Sequence, residues 1–336
     1  MSNNINYSII DNTDFKFEPT TSMFNPDGSL KNIQNFNSNL PEPKFNPIPP
    51  TPPPIQQTEI DNIIRNYVLF NNPKVYILTP CYGGMCHINY MSCLMQTIET
   101  LNKYGIKFKI EFCKNDSLVS RARNNLVARA MNDASMTHIM FIDSDISWDP
   151  VSIIQLLLDN KELIGGIYPL KHYDWNKLIT DPENPYNKNI VQTWIHHKNN
   201  SQLKDLLTDE IYIQNKLLKY NVNYLENNLA IEQNIAKVKH IATGFMMIKR
   251  IVIEQMSKAF PSTKYTDDVG FLTGDENKFA FALFDCGVCD GHYYSEDWLF
   301  CDRWSKMKKD IFINVSIHLT HTGPQDFIGS FISSVL

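Results

Sequence analysis

Apolar and polar residues follow two rhythms along this chain, and from about residue 58 the rhythms take turns. "KVYILTP" is a short apolar run closed by Pro80, with the length of a buried strand. "CHINYMSCLMQTIETLNKYG" then repeats apolar residues at helical spacing, and predicts a helix stopped by Gly105. In "IKFKIEF" the period falls to two, which puts Ile106, Phe108, Ile110 and Phe112 on one face of a strand. "LVSRARNNLVARAMND" reads as a helix and "HIMFID" as a strand; "DPVSIIQLLLD" reads as a helix with Asp149 as N-cap and Pro150 at the first helical position. "LIGGIYP" is another strand. Residues 172 to 236 break the rhythm with polar, Asn-rich sequence around one weakly amphipathic stretch, "LKDLLTDEIYIQNKLLKY", and are expected to form an insertion or lid. After it "VKHIATGFMMIKR" resumes the sheet, "SEDWLFCDRWSKM" predicts a helix with a Ser N-cap, and "IFINVSIHL" is the last clear strand. Strands separated by helices of this length predict an α/β class: a mostly parallel sheet with helices on both faces. Such sheets bind ligands beyond the carboxyl ends of their strands.

Several polar residues fall at those ends. In "VSRARNNLVARAM" the spacing of Val119, Ala122, Leu126 and Ala130 predicts a buried stripe. Arg123 sits on that stripe, whereas Arg121 and Arg129 point elsewhere. A guanidinium facing a core needs a partner, because an uncompensated buried charge costs on the order of 3–5 kcal/mol. Two partners are open: a carboxylate such as Asp143, or a substrate phosphate that fits the guanidinium fork. Asp143 and Asp145, in "FIDSD", close the strand before "ISWDP". An acid in that place often does no more than cap the next element. At the end of an α/β strand, however, the spacing also suits Mg²⁺ or Mn²⁺ carrying a diphosphate, since phosphate and water complete the coordination shell. Ser144 between the acids is small enough to let the loop approach a ligand. Glu296 and Asp297 open the helix of "SEDWLFC", where the helix dipole alone accounts for acids. "HLTHTG" offers His318 and His321 as imidazole ligands, and the "CGVC" of Cys286 and Cys289 has zinc spacing without a second half nearby.

Composition narrows the function classes. A chain of 336 residues with 43% apolar content can bury a substantial core. The formal net charge of -5 supplies no basic footprint, so nucleic acid is not an expected partner. No window approaches the ~20 apolar residues of a membrane span, and the amino terminus lacks a signal-peptide pattern, so no integral membrane segment and a cytoplasmic location are expected. Seven cysteines, an odd number, fit reduced thiols. Residues 1–57 read as an Asn/Pro-rich tail and spacer that ends in "PEPKFNPIPPTPPPI", a polyproline II former, ahead of one domain over 58–336. Phe15, Phe17, Phe24 and Phe36 give that tail the means to act as a docking arm.

In order, "YILTPCY", "SLVSRARNNLVARAM", "THIMFIDSDISWDP", "GGIYPLK", "IATGFMMIKR", "SEDWLFCDRW" and the terminal "HTG" and "FIG" resemble the GT-A class of nucleotide-sugar glycosyltransferases. The likeness is to family 2-like proteins and to fungal mannan-polymerase subunits, and it covers roughly residues 74 to 331 apart from the insertion. It implies a GT-A, Rossmann-like fold and a metal-dependent transfer of sugar from a nucleoside-diphosphate sugar to a hydroxyl of a glycan or protein acceptor. By the same resemblance, Thr79, Pro80 and Tyr82 border the nucleotide and Arg123 the diphosphate. Asp143 faces the ribose or a metal-bound water, and Ser144 belongs to the donor loop. Asp145 and His321 hold Mn²⁺ or Mg²⁺, with Asp143 beside them and His318 as second choice. Asp297 is the general base with Glu296 as its backup. Inversion at the anomeric carbon is expected, a UDP-sugar is the preferred donor, and GDP-mannose stays open because of the mannan-polymerase likeness. A large DNA virus is one source that fits the chain, which would place it in host cytoplasm or a virion. The insertion at 172–236, with its His196, His197 and Lys198, departs from the family where acceptor loops usually lie; the proline-rich leader has no counterpart there.

Two other readings compete. A haloacid-dehalogenase-type phosphatase also follows an apolar strand with Asp-x-Asp. It expects Thr or Val two residues after the second Asp, where Ser147 stands, and it expects the first strand, whereas two strands come before this one. A non-catalytic carbohydrate-binding or structural protein on a degenerate transferase fold is the other. The presence together of both Asp residues, Arg123, the Glu-Asp pair and His321 speaks against degeneration.

Overall fold

The structure, a computed structural model, describes residues 54–178, 190–199, 208–225, 229–323 and 326–335. The chain divides into two compact units, Met1–Pro54 and Ile55–Leu336, and all but the first described residue belong to the second. The expected tail therefore lies outside the described residues up to residue 53, as does part of the insertion.

Helix α1, Pro54–Asn71, begins inside the segment read as spacer. Proline is tolerated in a first helical turn, and beyond it Ile64 is buried while Tyr67 and Val68 pack on the core, so an amphipathic helix takes over from the proline run. Strand β1, Lys74–Cys81, leads to α2, Ile88–Tyr104, which Gly105 ends at φ 70° in the left-handed region. β2, Lys107–Lys114, α3, Val119–Met131, and β3, His138–Ile142, follow as the pattern predicts. β4, Ile146–Trp148, precedes α4, Val151–Asp159; Pro150 has helical angles and Asp149 Oδ1 accepts the Val151 N–H at 2.9 Å, so Asp149 caps as expected.

"LIGGIYP" does not form one strand. β5 is only Leu163–Gly165, and the chain re-enters pairing as β6, Pro169–Tyr173. The expected insertion contains α5, Ile190–Asn199, α6, Asp209–Leu217, β7, Leu218–Tyr220, β8, Val222–Asn223, and β9, Ile231–Glu232. Then come β10, Ile235–Val238, β11, His240–Ile241, β12, Phe245–Lys249, and α7, Arg250–Ala259. A hairpin of β13, Gly287–Cys289, and β14, His292–Tyr294, precedes α8, Glu296–Lys306. β15, Ile311–Asn314, is not the last strand: β16, Leu319–His321, β17, Phe327–Gly329, and α9, Phe331–Val335, follow.

Eight strands form the central sheet in the order β2-β1-β3-β12-β5-β15-β10-β9, with β12 and β10 antiparallel to their neighbours. The result is a mostly parallel sheet with helices on both faces. Strand periodicity divides its core. Tyr76, Leu78, Ile139, Phe141, Met246 and Ile248 face one side, with Leu126 of α3, Val252 of α7 and Trp304 of α8. Val75, Ile77, Met140, Ile142, Phe245 and Met247 face the other, with Leu94 of α2 and Ile154 of α4. All of β3 is buried, which explains its unbroken apolar run, while β2 lies at an edge and keeps its alternation. In α3, Ala122, Leu126 and Ala130 are buried as expected, but Val119 is not. It sits in the first turn and lines a cavity instead of the core. Among the described residues no helix is long and apolar enough to cross a membrane.

A second, three-stranded sheet matters most for function. β16 pairs antiparallel with both β17 and β4, setting His321 opposite Ile146, and Thr322 N–H donates to the Asp145 carbonyl at 2.8 Å. The carboxy-terminal strand is thereby laid against the segment that follows the Asp pair.

Candidate functional site

Arg123, Asp143, Asp145, Glu296 and His321, all singled out from sequence, assemble where β1 and β3 end. Asp143 leaves β3 with its N–H on the Gly244 carbonyl at 3.0 Å, and its own carbonyl accepts the Ile146 N–H at 3.0 Å. His87 N–H donates to the Ser144 carbonyl at 2.9 Å, which fastens the loop to the start of α2.

Arg123, on the buried side of α3, is the centre of the group. Its side chain is 4% exposed and its Cζ lies 5.3 Å from the Phe141 ring centroid. Nη2 donates to Asp143 Oδ1 at 2.8 Å, and Nε donates to Glu296 Oε1 at 3.2 Å. Nη1 is buried with no hydrogen-bond partner among the described residues. Burial disfavours the guanidinium's charge, but Asp143 and then Glu296 outweigh it, so its affinity for the proton rises above the ordinary arginine value.

Asp145 has different company. Its Oδ2 accepts from Lys171 Nζ at 2.5 Å and lies 3.3 Å from His321 Nε2. His321 Nδ1 is 2.9 Å from the Pro169 carbonyl, an acceptor, so Nδ1 carries a proton and donates it there. The edge of Tyr168 packs on the same ring at 5.0 Å between centroids. Burial pushes the Asp145 carboxyl up, but hydrogen bonds from His321 and Lys171 outweigh it and bring it down to about 2.

Asp297 is buried in the first turn of α8, and burial is the main cause that raises its carboxyl above the ordinary range. The sequence leads one to expect Ser295 to cap α8 through its side chain. Instead its hydroxyl donates to Asp297 Oδ1, which also accepts the Trp298 N–H at 2.8 Å. The carboxylate takes up the hydroxyl that capping would use.

A cavity of about 320 Å³ opens at this end of the sheet, and Pro80, Tyr82, Arg123, Asp143, Ser144 and Asp145 are among its lining residues. A larger groove of about 730 Å³ lies at the sheet's far edge, along β9 and β10; it holds none of these groups, and the smaller cavity is the chemical candidate. Thr79 is not in the lining. Its side chain is fully buried and its hydroxyl pairs with Tyr90 Oη at 2.6 Å, because the strand's alternation turns residue 79 toward α2. Glu296, Asp297 and His321 also lie outside the lining; Glu296 reaches the site through Arg123, and His321 through Asp145. His318 is remote, bonded to Ser330 Oγ at 2.9 Å. His197 is buried and stacked on Tyr212, and Lys198 pairs with Asp209 at 2.9 Å, so both join α5 to α6. Cys286 and Cys289 carry free thiols.

Two residues that the sequence reading passed over belong here: Lys171 and Tyr168. Both stand in "GGIYPLK", whose only advance signal is a cation and an aromatic directly after a sheet strand.

The donor set offers a test of the expected metal. Among the described residues no group of three or more His, Cys, Asp or Glu side chains could hold one. Asp145 and His321 Nε2 make a pair, and Asp143 Oδ1 is taken by Arg123. With Nδ1 donating to the Pro169 carbonyl, Nε2 is the nitrogen that can ligate, once it gives up the proton it donates to Asp145. Two protein donors fit Mg²⁺ or Mn²⁺ where phosphate oxygens and water supply the rest.

No protein-family profile matches the chain, and no curated protein matches it. Among solved structures it is similar to A197 from STIV at 13% identity and a TM-score of 0.38, covering 76% of this chain and 94% of that one. A likeness at that score is too weak to bear on fold or function.

Proposed function

We propose that the chain is a glycosyltransferase of the GT-A type, moving a sugar from a nucleoside-diphosphate sugar to a hydroxyl acceptor. One observation carries this reading: the buried, charged guanidinium of Arg123, with one nitrogen unpartnered, in the wall of a cavity that also exposes Asp143 and Asp145 at the strand ends. The spare N–H donors of Nη1 suit a phosphate oxygen. The antiparallel β12, set between β3 and β5, which run parallel to β1, β2 and β15, is in keeping with the GT-A assignment.

In this reading Arg123 stabilises the negative charge that grows on the leaving diphosphate, and Asp143 and Glu296 hold the guanidinium in position. A divalent ion at Asp145 and His321 would supply Lewis-acid stabilisation of the same charge. Asp297 takes the proton of the acceptor hydroxyl as that oxygen attacks the anomeric carbon. Burial fits it to the task by raising its proton affinity, whereas Glu296 is committed to Arg123. Attack from the face opposite the diphosphate inverts the anomeric centre. UDP-sugars are the first donors to try and GDP-mannose the second; a glycan or a protein hydroxyl is the acceptor.

The test is a thermal-shift and calorimetric panel of UDP, GDP and their sugars with and without Mn²⁺, because a ligand that binds the folded state raises its apparent stability. UDP or GDP should stabilise the parent chain, and Arg123→Lys, which keeps the charge but loses the fork, should bind at least about tenfold more weakly. No response to any nucleotide, or equal affinity in the variant, would refute the reading.

A further inference from the structure

Two nitrogens meet at one oxygen of Asp145, and one of them is a lysine ammonium that the chain itself provides. Lys171 Nζ is 2.5 Å from Oδ2, and His321 Nε2 is 3.3 Å from the same atom. The carboxylate cannot easily move away: β4 pairs with β16 immediately after it, and its carbonyl accepts the Thr322 N–H. Lys171 is free to do so. Its ammonium ends a flexible stem on β6, and its side chain is 32% exposed. A divalent ion bound to Asp145 and His321 Nε2 would have to take the oxygen that the ammonium holds, and two cations in contact with one oxygen repel each other.

We propose that Lys171 is a placeholder cation that competes with a divalent ion for Asp145, and yields that oxygen when a diphosphate brings negative charge to which the ammonium can turn. The diphosphate half rests on the donor reading above; the competition for Asp145 does not. Metal and nucleotide then bind with positive coupling, to which Lys171 adds beyond the phosphate oxygens that would ligate the ion.

Titration of the 336-residue chain with MnCl₂, followed by calorimetry and by the electron paramagnetic resonance of free Mn²⁺, tests this with and without UDP or GDP. Mn²⁺ alone should bind the parent weakly and at least about tenfold more tightly once nucleotide is present. Lys171→Met should bind Mn²⁺ alone at least about tenfold more tightly than the parent, with a smaller nucleotide effect. Lys171→Arg keeps the charge and should stay near the parent, which separates the effect from altered folding. Unchanged Mn²⁺ affinity in Lys171→Met would overturn the competition. Tighter Mn²⁺ binding in that variant, with no nucleotide effect in any protein, would overturn the diphosphate half and the donor reading while upholding the competition.

Discussion

The two acids that open α8 differ in what holds them, and that difference divides their roles. Glu296 is drawn to Arg123, while Asp297, one residue on, is buried beside the Ser295 hydroxyl and the Trp298 N–H. Burial raises the proton affinity of Asp297, so its acid form is favoured in the folded protein. The sign follows: Asp297 lowers stability as pH rises from its unfolded value, near the ordinary ~3.9, through its higher folded value. Asp297→Asn removes that loss and keeps an oxygen for both donors. The variant should be at least as stable as the parent at pH 7 by thermal denaturation and, on the proposed transferase reading, should bind nucleotide normally and transfer sugar about 10²–10⁴-fold more slowly. In the parent, the acid limb of the rate profile should lie above the range of an exposed carboxylate. Full activity in Asp297→Asn would remove the base assignment.

Elements carry the site because the sheet sets where they end, and here local pattern and long-range pairing separate. The runs of β1 and β3, the alternation of β2 and the stripes of α2 and α3 were legible, since each is written within a dozen or so neighbouring residues. Arg123 beside Asp143 was legible too, because they are only 20 positions apart on consecutive elements. The contact of Arg123 with Glu296 spans 173 positions, and no local signal encodes it. Lys171 is only 26 positions from Asp145, but the break between β5 and β6 that brings it there was not legible. "LIGGIYP" read as one strand because apolar length does not reveal how closely a neighbouring strand approaches. At Gly165 a Cβ would stand 2.5 Å from the Phe245 carbonyl oxygen, and at Gly244 one would stand 2.6 Å from the buried Tyr168 ring. Each glycine is where backbone comes against a neighbour with no room for a methyl group. Gly165→Ala should therefore cost about 1–3 kcal/mol in urea unfolding, by forcing β5 away from β12. Gly244→Ala should act through Tyr168 and disturb the His321 ring that packs on it. A Gly165→Ala midpoint equal to the parent's would show that the two strands can separate at no cost.

For the molecule as a whole, acid tolerance is set by which buried groups resist protonation. His138, on β3, and His240, on β11, are almost wholly buried. Burial is the main cause that lowers each to about 4, helped at His138 by Lys249 and at His240 by Lys239. A histidine whose folded value lies below its unfolded value of about 6.5 binds fewer protons when folded than when unfolded between those two pH values. Its contribution is therefore complete above about pH 6.5 and is lost as pH falls toward about 4. At His138 the drop from 6.5 to about 4 corresponds to roughly 3 kcal/mol. The carboxylates act later in an acid titration. Asp145, held at about 2, keeps its stabilising hydrogen bonds until well below the histidine window. Thermal midpoints measured from pH 7 to pH 4 should fall first through the histidine range, before carboxylate protonation dominates. His138→Phe keeps a ring in the same volume without a titrating nitrogen. It should flatten the curve between pH 6.5 and 4 at some cost in absolute stability, since it gives up the hydrogen bond to Thr137 at 2.8 Å. Adding His240→Phe, a ring that can still stack on Trp298, should flatten it further. A parent curve already flat across that range would place the acid sensitivity elsewhere, and identical slopes in the parent and the double variant would exclude both histidines as its source.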